Sequence, residues 1–394
     1  MAAPLVETRL SDDERFDWLR LIRSENVGPR TFRALLDRCG GAAAALAALP
    51  ELARRGGAGR PIRVADADEI EREIEESLKL GVRFIGYCEP DYPPALRHID
   101  AAPPLLALRG REEALQQPSV AIVGSRNASA AGLAFADRLA RGLGQAGYVV
   151  VSGLARGIDQ RAHVASLETG TVAVLAGGHA KPYPPEAATL LPRIAENGAI
   201  VTEMPLAWEP RGRDFPRRNR IVSGLALGVV IVEAARGSGS LITARLAAEQ
   251  GREVLAAPGS PLDPRAEGTN DLLRDGATLC ARVEDALNAL APLRARGSVG
   301  RMEESRPGDN LWLDEPADAG EPASTERDDS DATATGARVA ALLGPAPVSI
   351  DELARVANAD IRSVRAALIE LELAGRIERS GGDRVALLTG RDRD

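Results

Sequence analysis

The sequence predicts an α/β protein built on an extended Rossmann-like parallel sheet, with a small helical domain before it and a winged helix after it. Three observations carry that expectation. Six continuous apolar runs of strand length fall between Ser119 and Ala257, and helical segments separate most of them, the pattern of a parallel sheet covered on both faces. Short helices broken by a glycine turn precede this region, and three helices followed by a hairpin come after it. The 394 residues, 44% of them hydrophobic, suffice for two or three packed domains.

Residues 19–49 read as short helices interrupted at Asn26-Val27-Gly28-Pro29, where Pro29 suits a first helical position. This is a SAM-like or helix-hairpin-helix unit, assigned to residues 1–85. Its glycine hairpin suits packing better than phosphate binding. Residues 69–80 add a charged amphipathic helix, and Pro90, Pro93, Pro94, Pro103 and Pro104 punctuate an irregular connector. The core, residues 86–295, holds strands at 119–124, 148–153, 171–175, 199–202, 228–232 and 253–257. Residues 296–335 read as an acidic disordered linker: between Arg301 and Asp331 eleven acids face three bases, a net charge of −8 that equals the total for the chain. Residues 336–394 supply a helix over 337–343, a second opened by the capping pattern Ser349-Ile350-Asp351-Glu352, and a third over 361–374 ended by Gly375. A hairpin over 377–388, turning at Ser380-Gly381-Gly382-Asp383, completes a winged helix.

Composition narrows the function classes. No apolar run reaches membrane-spanning length, and the charged N-terminal residues Glu7, Arg9, Asp12, Asp13, Glu14 and Arg15 lack the apolar core of a signal peptide, so a cytoplasmic location is expected. Cys39, Cys88 and Cys280 are widely spaced and read as buried small apolar residues rather than a disulfide framework or a zinc site. His98, His163 and His179 show no metal-ligand spacing, so neither metal nor cofactor is expected. G-x-G-x-x-G is absent after Gly124, and no acid ends the second strand to hold a ribose, which argues against a nicotinamide or flavin enzyme.

The best functional signal is a reversal of charge. Five arginines between Arg211 and Arg220 face one acid, Asp214, within an acidic chain, and the segment Phe215-Pro216-Arg217-Arg218-Asn219-Arg220 suits a polyanion such as a nucleic acid backbone. Three loops at C-terminal strand ends have phosphate-binding composition: Gly124-Ser125-Arg126, the stretch from Ser152 to Asp159 with Arg156 and Gly157, and Gly237-Ser238-Gly239-Ser240. Aromatics make up only 3% of the chain, which disfavours a wide stacking platform, but Tyr183, Trp208 and Phe215 lie near these loops; Phe215 is either a base-stacking residue or an anchor for its loop. Asp159 and His163, four apart, fit an acid/base pair or a carboxylate in the first turn of a helix, the latter preferred. Glu203 and Glu233 end strands near the same crevice and suit the orientation of the arginines better than catalysis. No catalytic set is assigned.

Together, Val123-Gly124-Ser125-Arg126, Ser152 to Asp159 with His163, Phe215 to Leu225 and Ser238 to Ala244 resemble the DprA/Smf family, and the likeness continues through Ala257-Pro258-Gly259 and Gly268-Thr269-Asn270. The resemblance implies a homodimeric single-stranded DNA-binding protein of natural transformation that protects incoming DNA and loads the RecA recombinase onto it. It also implies DNA contacts at Gly124, Ser125, Arg126, Arg217, Asn219, Arg220, Ser238, Gly239 and Ser240. Pro185 stands where some relatives carry a basic residue, which leaves Lys181 as a substitute. The rival reading is a LOG-type nucleotide hydrolase, whose glutamate context is missing around Gly237-Ser238-Gly239-Ser240. A third is regulation through the winged helix; from Gly336 onward nine arginines balance nine acids, which favours a protein-contact or regulatory role.

Overall fold

The computed structural model describes residues 8–303, 329–380 and 383–388. They form two compact units, one of residues 8–10 and 72–303, the other of residues 11–71, 329–380 and 383–388. Three helices open the second unit: α1 (Asp12–Arg23), α2 (Pro29–Cys39) and α3 (Ala42–Arg55). Ser11 and Glu14 cap α1 reciprocally, and Pro29, as the sequence predicts, starts α2 directly after Gly28. Trp18 and Phe32 meet edge to face at 5.0 Å inside this module. Helix α4 (Ala67–Lys79) follows.

The first unit alternates strand and helix: β1 (Val82–Gly86), α5 (Pro94–Arg97), β2 (Leu105–Gly110), α6 (Glu113–Gln116), β3 (Ser119–Gly124), α7 (Ala130–Gln145), β4 (Val149–Ser152) and α8 (Ile158–Ala165). Then come β5 (Thr171–Val174), α9 (Leu191–Asn197), β6 (Ala199–Thr202), α10 (Asp214–Leu225), β7 (Gly228–Val232), α11 (Gly239–Glu249), β8 (Glu253–Ala256), α12 (Glu267–Arg274), β9 (Thr278–Leu279) and α13 (Val283–Glu303). The nine strands lie in the order β1-β2-β6-β5-β4-β3-β7-β8-β9. From β3 to β9 every pairing is parallel, whereas β2 pairs antiparallel with both β1 and β6. Alternate residues of β3 enter opposite cores: Ala121 and Val123 pack with α10 through Ile221 and Val222, while Val120 and Ile122 pack with α7 through Leu139 and Leu143. Burial on both faces is why these strands read as unbroken apolar runs.

The structure draws three boundaries differently from the sequence. The sheet begins at β1, inside the stretch assigned to the helical domain, because Val82, Phe84 and Ile85 are buried against β2. The proline-punctuated connector contains α5 and leads into β2, a strand that closes the sheet antiparallel and so lies outside the β-α-β rhythm. The linker assigned to 296–335 is helical at both ends, since α13 runs to Glu303 and α14 begins at Asp329; residues 304–328 lie outside the described residues.

The winged helix comprises α14 (Asp329–Leu342), β10 (Val348–Ser349), α15 (Ile350–Ala357), α16 (Ile361–Leu373), β11 (Ile377–Ser380) and β12 (Arg384–Leu387), with strand order β10-β12-β11. The expected turn at 380–383 falls partly outside the described residues. Val339, Leu353, Val364, Leu368 and Val385 form its core. The C-terminal half of α16 docks on the opening helices. Glu370 faces Arg38 at 3.1 Å and Arg55 at 3.6 Å, the Asn26 amide donates to the Leu373 carbonyl at 2.9 Å, and Arg376 donates to the Gly56 carbonyl at 3.3 Å. The glycine hairpin therefore packs, as its sequence suggests. Close approach depends on Gly56, where a Cβ would overlap the Glu370 backbone carbonyl. Gly56→Ala is expected to force α3 and α16 apart and to lower the stability of this unit by about 1–3 kcal/mol. Urea denaturation checks it, and an unchanged midpoint would mean that the contact adjusts freely.

Candidate nucleic-acid interface

In an open parallel sheet the ligand crevice forms at the C-terminal strand ends where the strand order reverses. Here the reversal lies between β3 and β7, and a cleft of about 470 Å³ opens there. Gly124, Ser125, Arg126 and Asn127 line it from the loop after β3, Gly153, Ala155 and Asp159 from the loop after β4 and the start of α8, and Ser238, Gly239 and Ser240 from the start of α11. The first turn of α10 adds Phe215, Pro216, Arg218 and Asn219. All three loops singled out by composition thus meet the arginine segment in one place. The starts of α8 and α11 bring the positive ends of two helix dipoles to an opening rimmed by Arg126, a setting for an anion.

Local chemistry explains the arrangement. Gly124 pairs with Val232 in the sheet, and a Cβ there would overlap the Val232 carbonyl and press on Ile158. Gly157 sits at φ 79°, in the left-handed region, which lets the chain turn sharply into α8. Ser238 caps α11 by accepting from Ser240 N–H. Asp214 holds the entry to α10 by accepting from Arg211 N–H at 2.8 Å and Trp208 Nε1 at 2.9 Å, so Trp208 is structural.

The proposed contact residues separate into groups. Arg126 is exposed, with its guanidinium 5.3 Å from the centre of the Phe215 ring; Tyr183 meets the same ring edge-on at 5.4 Å. Phe215 thereby anchors the loop and carries a cation on one side. Arg217 and Arg220 both pair with Glu203, Arg217 at 3.2 Å, so Glu203 orients the cluster as expected. Arg156 pairs with Glu186 at 2.5 Å, and Lys181 is exposed; neither lines the cleft.

Arg218 departs from its expected role. It is 6% exposed, and its guanidinium turns inward to donate to the carbonyls of Gly153 and Val174, which removes it from the arginines offered to solvent. The pairing of Asp159 with His163 does not form either. Asp159 accepts N–H groups from Gly153 and Ala155, whereas His163 Nδ1 meets Thr171 Oγ1 at 2.7 Å. Burial pushes the Asp159 carboxyl up to about 6 against the pull of Arg218, and burial with the Arg218 charge holds His163 down at about 3. Glu233 lies away from the arginines: its carboxylate accepts from Ser129 N–H and Oγ at the start of α7. Arg236, tied to Asp271 at 3.0 Å, lines the cleft and was not among the candidates; its position directly before Gly237-Ser238-Gly239-Ser240 was the available signal.

Among the described residues no three His, Cys, Asp or Glu side chains gather as a metal would require, and no helix is long and apolar enough to cross a membrane. Cys280 is buried, while Cys39 and Cys88 are half-buried, and none of the three forms a disulfide.

Residues 83–291, which contain the sheet and the cleft, match the family described as DNA recombination-mediator protein A. The chain belongs to the DprA/Smf family. Residues 12–75 match the DprA-like N-terminal HHH domain, and residues 321–383 match the DprA winged helix domain. The chain is 38% identical to protein Smf of Escherichia coli over 75% of each sequence, and 31% identical to protein Smf of Synechocystis over 79% of this chain and 81% of that protein. The X-ray structure of DNA processing protein A from Streptococcus pneumoniae superposes with a TM-score of 0.60 at 31% identity, covering 71% of this chain and 98% of that one. A structure of DNA processing protein A from Helicobacter pylori, solved for its single-stranded DNA binding mode, gives 0.50 at 29% identity over 54% of this chain and 96% of that one. DprA/Smf membership covers both units of the chain.

Proposed function

We propose that this chain binds single-stranded DNA along its backbone at the β3/β7 cleft, protects incoming DNA during natural transformation and loads the RecA recombinase onto it. The observation that carries the DNA-binding step is the convergence of Gly124-Ser125-Arg126, the α8 and α11 starts and Asn219 on one cleft. The single-stranded DNA binding described for the Helicobacter pylori relative supports it. Protection and RecA loading rest on family membership, as does a cytoplasmic homodimer. Exposed Leu262 and Leu279, the latter on the outermost strand β9, offer apolar surface for a second copy. Arg217 and Arg220 exchange part of their attraction to Glu203 for phosphate, and Arg156, Gly157 and Lys181 extend the path beyond the cleft.

The contact set consists of backbone N–H groups, serines and arginines, with few groups suited to base edges, so sequence preference is weak. Fluorescence anisotropy with oligo-dT and a duplex of equal length tests this reading. The single strand is expected to bind at least tenfold more tightly, and equal or tighter duplex binding overturns it.

A further inference from the structure

Beneath the cleft, and resting on the DNA-binding reading above, Asp159 and Arg218 grip one residue from two sides. Gly153 N–H donates to Asp159 Oδ2 at 3.2 Å, and the Gly153 carbonyl accepts from Arg218 Nη1, which also reaches the Val174 carbonyl at 2.5 Å. Asp159 further accepts from Ala155 N–H at 3.3 Å, and beside it Ile158 N–H donates to the Ser125 carbonyl at 3.2 Å. One carboxylate thus folds the loop after β4 onto the start of α8, on which the loop after β3 also rests, and one guanidinium ties the loop after β4 to α10 and β5. The absence of a side chain at Gly153 makes this possible, since a Cβ would fall among the guanidinium atoms.

Two charges at 5% and 6% exposure are an expensive way to hold a fold, because desolvation costs several kcal/mol per ion and an apolar pair of similar volume holds packing as well. What the charged pair adds is fixed direction for the peptide groups it binds. Both residues also form part of the cleft wall, and Arg218 Nε is buried there without a partner. We propose that Asp159 and Arg218 are positioning residues for DNA: together they hold Gly153, Ala155 and the start of α8, on which the loop carrying Ser125 rests, so that Arg126 and the start of α11 converge on the same stretch of backbone. Arg218 acts through the loops it holds, in contrast to the exposed Arg126.

The test uses the full chain and oligo-dT at fixed ionic strength, measured as a double-mutant cycle between Asp159→Asn and Arg126→Ala. Asp159→Asn keeps size and removes charge. It is expected to weaken binding by about tenfold in the otherwise unaltered protein and by less than about threefold in the Arg126→Ala background, because the loop it positions has then lost its cation. A purely structural role would produce the same loss in both backgrounds, and that result, or normal affinity in folded Asp159→Asn, overturns the proposal. If Asp159→Asn fails to fold, Gly153→Ala, which displaces the guanidinium without changing charge, is judged by the same two criteria. Failure of the unaltered protein to bind oligo-dT is a separate outcome: it removes the DNA-binding reading itself and this proposal with it.

Discussion

Raising monovalent salt from 50 to 200 mM is expected to weaken oligo-dT binding by on the order of 50-fold, the consequence of counterion release from about four phosphates on a single strand. The number of phosphates follows from the exposed cations among the expected contacts, Arg126, Arg156, Lys181 and Arg217, while Arg220 is largely buried against Glu203. Arg156 and Arg217 are already paired with glutamates, but exposed ion pairs are weak and exchange readily for a phosphate. Arg218 adds nothing to the salt dependence because its charge is committed inside the protein. A series of anisotropy titrations at four salt concentrations gives the slope of log affinity against log salt. A change below about threefold across this range would place the binding energy in apolar contacts and remove the backbone-tracking picture.

Two glycine substitutions are expected to separate fold from contact. Gly124→Ala drives a Cβ into the Val232 carbonyl, a backbone atom that cannot yield without opening the β3/β7 ladder, so both thermal stability and DNA affinity should fall, the affinity by more than about tenfold. Gly239→Ala is the opposite case. Nothing lies within 4 Å of the position its Cβ would take, and it opens α11, where alanine is the better helix former. Stability should hold or rise slightly, while affinity falls by about tenfold because the methyl stands between the first N–H groups of α11 and an approaching phosphate. Thermal unfolding and anisotropy on both variants check the pair, and normal DNA binding by Gly239→Ala would mean that phosphate does not approach the start of α11.

The winged helix bears on how truncations are interpreted. Its α16 docks through Glu370 and Leu373 on the opening helices, so the described residues of the winged helix complete a unit with residues 11–71.

Strands β3 to β8 were legible because burial on both faces leaves an unbroken apolar run, and the loops that meet at the cleft were legible from glycine and serine at strand ends. Strands β1 and β2 were not, since an antiparallel pair outside the repeating rhythm gives no signal among the surrounding prolines. Asp159 and His163 stood at a spacing that permits an acid/base pair, and only packing sent one to loop amides and the other to Thr171. Glu203 and Glu233 looked alike at two strand ends; one holds arginines and the other holds Ser129.

By itself the sequence determined the family, the parallel core, the two flanking modules and the segments that meet at the cleft, because periodicity, capping residues and glycine positions are local properties of the chain. Tertiary structure alone decided which arginines face solvent and which serve the fold. Arg217, Arg218 and Arg220 lie within one turn of the same helix, yet the helical rotation of about 100° per residue puts Arg217 and Arg220, three apart, on one face, where both meet Glu203 and Arg217 stays exposed, and turns Arg218 into the loop carbonyls beneath the cleft.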